Sequence, residues 1–292
     1  MALGASFSRK SSVVMNCKKI AVSDLDGTLL PHHGQISAQD LSSLKDLQSR
    51  GIITVLATGR SLYSLRRHIP ENAPFDYVIF STGAGIMDWK SQQLLYFKDL
   101  QSSDICKICE ILEDSNIDYM LHDRIPDSHL LMYREKAGLA DFWSRIRHYQ
   151  DFSRILETAD IARVIAATQF LAVVDGGRED IYRELCRKLH PMTPIRTTSP
   201  MDQESLWIEV FAPGVNKGES LMHLLDRLGI SVSEMMVVGN DYNDLDMLRL
   251  TKHAYVTANA PEDIKEEFHT VAACESDGFT MAARDWLGEK TS

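Results

Sequence analysis

The chain has 292 residues, 44% hydrophobic and 25% charged, with 41 acidic side chains against 31 Lys and Arg and a formal net charge of −10. That length suits one large or two moderate domains, and the acidic balance argues against a nucleic-acid binder, which carries a basic face. No apolar run has the length of a membrane span, and five scattered cysteines (Cys17, Cys106, Cys109, Cys186 and Cys274) make no disulfide framework, so a reducing cytoplasm is the expected compartment.

Residues 1–16 hold Arg9, Lys10, several serines and no acid. They read as a disordered N-terminal extension, with a transit-like segment as the alternative. Ile20 to Val22 is a short apolar run of the kind that forms a fully buried strand. It ends at Asp24 and Asp26, one residue apart, followed by Gly27. Two acids at the end of a buried strand are costly unless a cation compensates them, and hard carboxylate oxygens suit magnesium. Ser37, with Asp40 three residues on, is an N-cap signal for a helix with a Leu41, Leu44, Leu47 stripe, closed at Gly51. Ile52 to Ala57 is a second buried strand ending in Thr58-Gly59-Arg60. Ser61 to Ile69 reads as a helix stopped by Pro70, and Tyr77 to Phe80 as a third strand ending in Ser81-Thr82-Gly83. This order predicts a parallel sheet with right-handed crossovers.

The middle of the chain has another texture. Ile105, Ile108, Cys109 and Leu112 form a helical stripe, and Tyr119 to Leu121 is a short strand. Residues 122–152 show no clear pattern. Ile161 to Ala167 and Phe170 to Val174 are β-like, Asp180 to Leu189 is helical, and Ile195 to Thr198 pairs with Leu206 to Phe211. Strands and helices mixed with hairpins predict a separate α+β unit over 85–212. The parallel pattern then returns. Lys217 to Leu228 is a helix closed by Gly229, Met235 to Val238 a strand ending in Gly239-Asn240-Asp241, and Asp244 to Leu250 a helix. Ala254 to Thr257 is a strand, Pro261 opens a helix, and Val271 to Ala273 is the last strand.

Each chemical signal has an ordinary alternative. Asp24 and Asp26 fit a surface turn as well as a metal site, since Asp-Gly is a common turn pair. Thr58-Gly59-Arg60 fits a helix cap. A lysine at a helix start opposes the dipole, a misfit that an anion facing Lys217 would explain. Four Asn or Asp residues within Asn240 to Asp244, directly after a buried strand, exceed what a cap needs. Cys106 and Cys109 form a lone CxxC on an amphipathic helix, too few ligands for zinc. His32 and His33 read as solvated loop.

Taken together, these segments resemble the haloacid dehalogenase superfamily of phosphohydrolases. The resemblance is carried by Asp24-Leu25-Asp26-Gly27-Thr28-Leu29, Thr58-Gly59-Arg60, Lys217 in Gly214-Val215-Asn216-Lys217-Gly218, and Gly239-Asn240-Asp241-Tyr242-Asn243-Asp244. Phe80 to Ala84, Ala258-Asn259-Ala260-Pro261 and Ser276-Asp277-Gly278-Phe279 extend it. The resemblance implies a Rossmann-like parallel-sheet α/β core over 17–84 and 213–292, with an inserted α+β cap over 85–212, hinged near 84–86 and 212–215 at Gly83, Gly85 and Gly214. The cap position between the second and third motifs is that of the Cof-like and sucrose-phosphatase-like branch.

It implies roles as well. Asp24 would be the nucleophile and Asp26 the general acid/base, with Thr58 and Lys217 stabilising the phosphoryl group. Gly59, Arg60, Thr82 and Gly83 would line the substrate. Mg2+ would be held by Asp24, Asp26, Asn240, Asp241 and Asp244. Asn240 stands where the family has an Asp, and Thr82 where it has an Asn. Arg124 is the cap residue singled out for substrate contact. The implied activity is magnesium-dependent hydrolysis of a small phosphate ester, a sugar phosphate, by a monomer or homodimer. A sugar phosphomutase and a non-catalytic phosphosugar-binding protein are the alternatives.

Overall fold

The computed structural model describes residues 18–289. The expected extension over 1–16 lies outside the described residues. The first part of the chain forms β1 (Ile20–Ser23), α1 (Ala38–Ser49), β2 (Ile53–Ala57), α2 (Leu62–Arg66), β3 (Tyr77–Phe80), β4 (Gly85–Asp88) and β5 (Gln93–Phe97). The middle follows as β6 (Leu100–Gln101), α3 (Ser102–Asp114), β7 (Asp118–His122), β8 (Leu131–Arg134), α4 (Ala140–His148) and β9 (Ser153–Ile155). It continues with α5 (Thr158–Ile161), β10 (Ala166–Ala167), β11 (Gln169–Val174), α6 (Glu179–Leu189), β12 (Thr193–Thr198) and β13 (Leu206–Phe211). The last part is α7 (Lys217–Leu228), β14 (Met235–Gly239), α8 (Leu245–Leu248), β15 (Ala254–Thr257), α9 (Glu262–Lys265), β16 (His269–Val271) and α10 (Gly278–Leu287).

Eight strands make the large sheet, in the order β16-β15-β14-β1-β2-β3-β4-β5. From β16 to β3 every pair is parallel. Alternate residues of these strands go to opposite faces, as the strand period requires. Ile20, Val22, Val55 and Ile79 pack with Leu221, Leu224 and Leu225 of α7 and with Leu248 of α8. Ala21, Leu56, Val78 and Phe80 pack on the other side with Leu44 and Leu47 of α1 and Phe279 of α10. Both faces are covered, which is why the strand sequences read as unbroken apolar runs.

The first strands and helices match the sequence reading closely. Ser37 Oγ accepts from the Asp40 backbone N–H at 2.9 Å, starting α1 as expected. The helix before Pro70 is shorter than Ser61 to Ile69, since a residue preceding proline is pushed out of the helical region. The expected strand over Ile161 to Ala167 is mostly not one. Arg163 and Val164 turn their N–H groups back to the Asp160 carbonyl, at 2.8 and 3.1 Å, leaving only Ala166 and Ala167 to pair. The expected helix over Asp244 to Leu250 is a tight turn followed by the short α8, and the last strand sits at His269–Val271.

One boundary differs in a way that affects the site. β4 and β5 add antiparallel strands to the large sheet, with Ile79 opposite Ile86 and Phe80 opposite Gly85. A Cβ at Gly85 would lie 2.4 Å from the Phe80 ring, so glycine lets this hairpin close on β3. The chain therefore leaves the large sheet after Phe97, not at 85. Gly83 and Gly85 sit within the hairpin instead of at a crossing. The two crossings run through Lys98 and Pro213-Gly214, and Lys98 Nζ donates to the Pro213 carbonyl at 2.6 Å.

Six strands of the inserted part form a second sheet, β12-β13-β11-β7-β8-β9, antiparallel except between β8 and β9. One face carries Tyr119, Leu121, Phe170, Ala172, Ile208 and Val210, packed in one core with residues of α3 and α6. The other carries Met120, Leu171, Val173 and Trp207 against Phe142 and Ile146 of α4.

Candidate active site

The C-terminal ends of four neighbouring parallel strands, β14, β1, β2 and β3, converge at one edge of the large sheet. Ligands of open α/β sheets bind at this edge. Asp24 follows β1, Thr58 follows β2, Ser81 to Gly83 follow β3, and Asn240 to Asp244 follow β14. The loop after β1 is held by its neighbours. The Gly27 carbonyl accepts from Asn259 Nδ2 at 2.9 Å and from Thr257 Oγ1 at 3.1 Å. Gly27 has φ +78°, and a Cβ there would lie 2.4 Å from the Asn240 amide, so only glycine fits.

Lys217 is fully buried at the first turn of α7 and bridges two carboxylates. Its Nζ donates to Asp24 Oδ1 at 2.7 Å and to Asp244 Oδ1 at 2.6 Å. Asn216 caps the helix by accepting from the Glu219 N–H at 2.7 Å, which fixes where Lys217 begins. Burial opposes the ammonium charge, but Asp24 and Asp244 outweigh it and raise the Lys217 pKa. Burial pushes the Asp24 carboxyl up to about 8 and the Asp244 charge adds to this, while Lys217 acts against both. A buried carboxylate of this kind needs positive charge beyond what Lys217 shares with Asp244.

Asp244 is engaged on both oxygens. Beyond Lys217 on Oδ1, its Oδ2 accepts from the backbone N–H groups of Asn240 and Asp241, at 2.9 and 3.1 Å. It thus shapes the loop after β14 and holds Lys217, a different task from the metal ligation expected of it. Asp241 also departs from its expected place. Its Oδ2 accepts from Thr197 Oγ1 at 2.9 Å, tying the loop to β12 of the second sheet. Its Oδ1 accepts from its neighbour's N–H, Tyr242, at 2.8 Å.

The Asp26 side chain is likewise engaged elsewhere. Arg60 grips it with Nε to Oδ2 at 2.8 Å and Nη2 to Oδ1 at 2.7 Å. Arg60 in turn is set by the Thr58 hydroxyl, which accepts the Arg60 backbone N–H at 3.1 Å. What Asp26 turns toward Asp24 is its main-chain carbonyl. The Asn240 amide occupies the space between them. The end of the amide facing Asp26 O (2.9 Å), Thr28 Oγ1 (3.0 Å) and Asp24 Oδ2 (3.2 Å) is the nitrogen, because all three can accept.

This geometry tests the magnesium expectation. Asp24 Oδ2, the Asp26 carbonyl and, after a half-turn of its amide, the Asn240 oxygen form a set of hard donors converging on one point. Magnesium takes a few protein oxygens of this type and completes its octahedron with water and substrate. The donors fit, with one carboxylate where the resemblance implies more. Among the described residues, no three His, Cys, Asp or Glu side chains gather at metal-holding distance.

Thr82 and Gly83 line the turn after β3. Thr82 has φ +53° and donates from Oγ1 to Glu209 Oε2 at 2.7 Å. The Gly83 carbonyl accepts from Ser220 Oγ of α7 at 2.5 Å. A Cβ on Gly59 would lie 3.3 Å from Thr82 Oγ1, so the second and third strand ends touch. Arg124 lies apart from this cluster's contacts. Its Nε donates to Asp99 Oδ2 at 2.7 Å, next to the crossing between the two sheets.

Glu209 was not among the expected site residues. It is buried on β13, accepts from Thr82 and Gln169, and has its pKa raised by burial. A lone acid inside the apolar run Leu206-Trp207-Ile208-Glu209-Val210-Phe211 was the available signal, since acids are almost never fully buried without a partner.

A parallel sheet covered on both faces, an inserted second sheet, and a Lys–Asp–Asp cluster at the strand ends define a class of protein, and comparison with known proteins agrees. Residues 21–279 match the family model of the haloacid dehalogenase-like hydrolases. The chain belongs to that family and is a phosphoric monoester hydrolase. It is similar to the HMP-PP phosphatase of Serratia proteamaculans, 24% identical over 278 residues, covering 92% of this chain and 95% of the relative. It is also similar to a 5-amino-6-(5-phospho-D-ribitylamino)uracil phosphatase of Bacillus subtilis, 23% identical, covering 94% of this chain and 97% of the relative. Among solved structures, the phosphatase BT1666 of Bacteroides thetaiotaomicron superposes with a TM-score of 0.78 at 20% identity, over 96% of this chain and 99% of that one, which shows the shared fold.

Proposed function

We propose that this chain is a magnesium-dependent phosphatase of small phosphorylated metabolites, acting on a sugar or sugar-alcohol phosphate through an aspartyl-phosphate. The reading is carried by Asp24, whose Oδ1 is held by Lys217 while Oδ2 faces the Asp26 carbonyl and Asn240. In this reading Asp24 attacks phosphorus, and the ester oxygen leaves with a proton from Asp26. Asp26 then takes a proton from the water that cleaves the aspartyl-phosphate. Thr58 and Lys217 stabilise the phosphoryl oxygens as charge builds on them. Asp24, the Asp26 carbonyl and Asn240 would hold magnesium, which would offset repulsion between the carboxylate and the incoming anion. Asp241 and Asp244 serve instead to position the loop, Lys217 and the second sheet. The ribityl phosphate named for the Bacillus relative supports a hydroxyl-bearing substrate.

No helix among the described residues is long and apolar enough to cross a membrane. Among the described residues Cys106, Cys109, Cys186 and Cys274 form no disulfide, and a reducing cytoplasm stays part of this proposal as read from the cysteine pattern of the sequence. The test is phosphate release across a panel of phosphorylated metabolites, with and without magnesium, for the wild type and Asp24→Asn. The variant should keep the wild-type melting profile and lose turnover. Near-wild-type activity in Asp24→Asn would end the assignment of Asp24 as nucleophile.

A further inference from the structure

Ser81 and Thr82 leave β3 with φ of +48° and +53°, followed by Gly83 at +103°. Side chains are strained in this left-handed region, a β-branched threonine most of all, and such a backbone persists only where its surroundings hold it. Glycine at 81 or 82 would need no such support. The chain has serine and threonine there, both buried. On the β2 side, the Thr82 N–H donates to the Thr58 carbonyl at 3.0 Å and the Ser81 N–H to the Arg60 carbonyl at 2.9 Å. On the α7 side, Ser220 Oγ donates to the Gly83 carbonyl at 2.5 Å, and a Cβ on Gly83 would collide with the Asn216 carbonyl. Asn216 caps α7 directly before Lys217, whose Nζ holds Asp24 Oδ1 at 2.7 Å. The turn therefore touches both the loop that carries Thr58 and the helix end that carries Lys217.

A further hold on the turn comes from the inserted sheet. Thr82 Oγ1 donates to Glu209 Oε2 at 2.7 Å, and Gln169 Nε2 donates to Glu209 Oε1 at 3.0 Å. Gln169 and Glu209 lie on the neighbouring strands β11 and β13, so each carboxylate oxygen has a donor and the side chain is fixed from its own sheet. A carboxylate taken out of water is costly and is kept only with such partners. The proton of the Thr82 hydroxyl is committed to Glu209, so it is not free to donate to a phosphoryl oxygen. What Thr82 offers the site is the placement of its neighbours. Its Oγ1 lies 3.3 Å from where a Cβ on Gly59 would stand, directly beside Thr58.

We propose that Glu209 is a positioning residue for phosphoryl transfer, which holds Thr82 in its left-handed turn and thereby sets Thr58 and the start of α7 around the transferring group. Glu209 acts through Thr82 and does not itself touch the phosphoryl group. Because it belongs to the inserted sheet, the turn has this support only while that sheet is seated on the strand ends. The proposal rests on the phosphatase reading above and adds the residue through which the inserted sheet acts on the chemistry.

The test is steady-state kinetics on p-nitrophenyl phosphate and on the best sugar phosphate of the panel, well below the melting temperature of each variant. Glu209→Leu should lower kcat by about ten- to a hundredfold on both substrates, the effect of misplaced groups, with KM changed less than about threefold. Thr82→Val breaks the same bond from the other side with little change of shape, and should show the same loss even where Glu209→Leu does not fold. Glu209→Gln can donate to the Thr82 oxygen while accepting from Gln169, and should regain most of the activity. The double variant Glu209→Leu/Thr82→Val should be no slower than either single one, since one interaction is lost only once. Losses that multiply in the double variant overturn the proposal, as does a Glu209→Gln variant as slow as Thr82→Val. A loss confined to the sugar phosphate overturns it by making Glu209 a contact to the leaving group. Unchanged kcat in Thr82→Val overturns it and leaves the phosphatase reading in place. A wild type inactive on every phosphate ester overturns the phosphatase reading itself, and the positioning role with it.

Discussion

Arg60 and Asp26 form a two-pronged pair across the mouth of the site, Nε to Oδ2 at 2.8 Å and Nη2 to Oδ1 at 2.7 Å. The planar fork fixes the carboxylate's orientation, which a lysine could not do. If Asp26 delivers a proton to the leaving oxygen, Arg60→Lys should lower kcat by about ten- to a hundredfold, part of the ordinary worth of a positioned acid. Alkyl phosphates, with poor leaving groups, should suffer more than p-nitrophenyl phosphate. Steady-state kinetics on both substrate types measures this, and equal losses would place Arg60 in binding instead.

Lys217 is the only cation bonded to Asp24 and Asp244 among the described residues. Lys217→Met leaves two buried carboxylates uncompensated, and breaking a buried pair in this way costs about 3–5 kcal/mol. Urea denaturation should show a lower midpoint with an unchanged slope. A midpoint equal to wild type would mean that both carboxylates gain protons at no cost.

Asn240 gives a metal prediction with a readout independent of turnover. Asn240→Asp brings a carboxylate to the point where Asp24 Oδ2 and the Asp26 carbonyl converge. Ligand charge tunes cation affinity, so magnesium binding by calorimetry should tighten by about tenfold. Without metal the same variant should be less stable than wild type, by about 1–3 kcal/mol, because an N–H donor to Asp24 and Asp26 is replaced by an acceptor. Unchanged magnesium affinity would place the cation elsewhere.

His122 makes stability depend on pH in a definite direction. Burial, then the Arg145 charge, lowers its pKa to about 3. Between the ordinary imidazole value of about 6.5 and that lowered one, the unfolded chain binds a proton that the folded chain refuses. Stability from this group is complete above about pH 6.5 and is lost as pH falls. Its share between pH 7 and pH 5 should be about 2 kcal/mol. His122→Gln should flatten the wild-type decline over that interval in denaturation experiments, and parallel curves would refute the assignment.

The sequence reveals the parallel strands because each is a run such as Ile20-Ala21-Val22 that is buried on both faces and stops at polar groups. Asp24, Thr58 and Asp244 stand out for the same reason, as polar groups just beyond such runs, and Lys217 as a cation at a helix start. Three things were hidden. The hairpin at Gly85–Asp88 and Gln93–Phe97 shows no clear period, and its join to β3 depends on the Phe80 ring fitting over Gly85. The atom that Asp26 turns toward the Asn240 amide is a backbone carbonyl, which no side-chain pattern can announce. Asp241 and Asp244 look equivalent in sequence, yet one bonds to Thr197 across the sheets and the other to Lys217. Only the folded loop separates them.

The bond from Lys98 to the Pro213 carbonyl has a mechanical consequence. Two separate tethers would have two pivots. Fastened to each other at one point, they give the inserted sheet one, as a door has on its post. Glu209 on Thr82 and Thr197 on Asp241 are the contacts that a swing about that point would have to break.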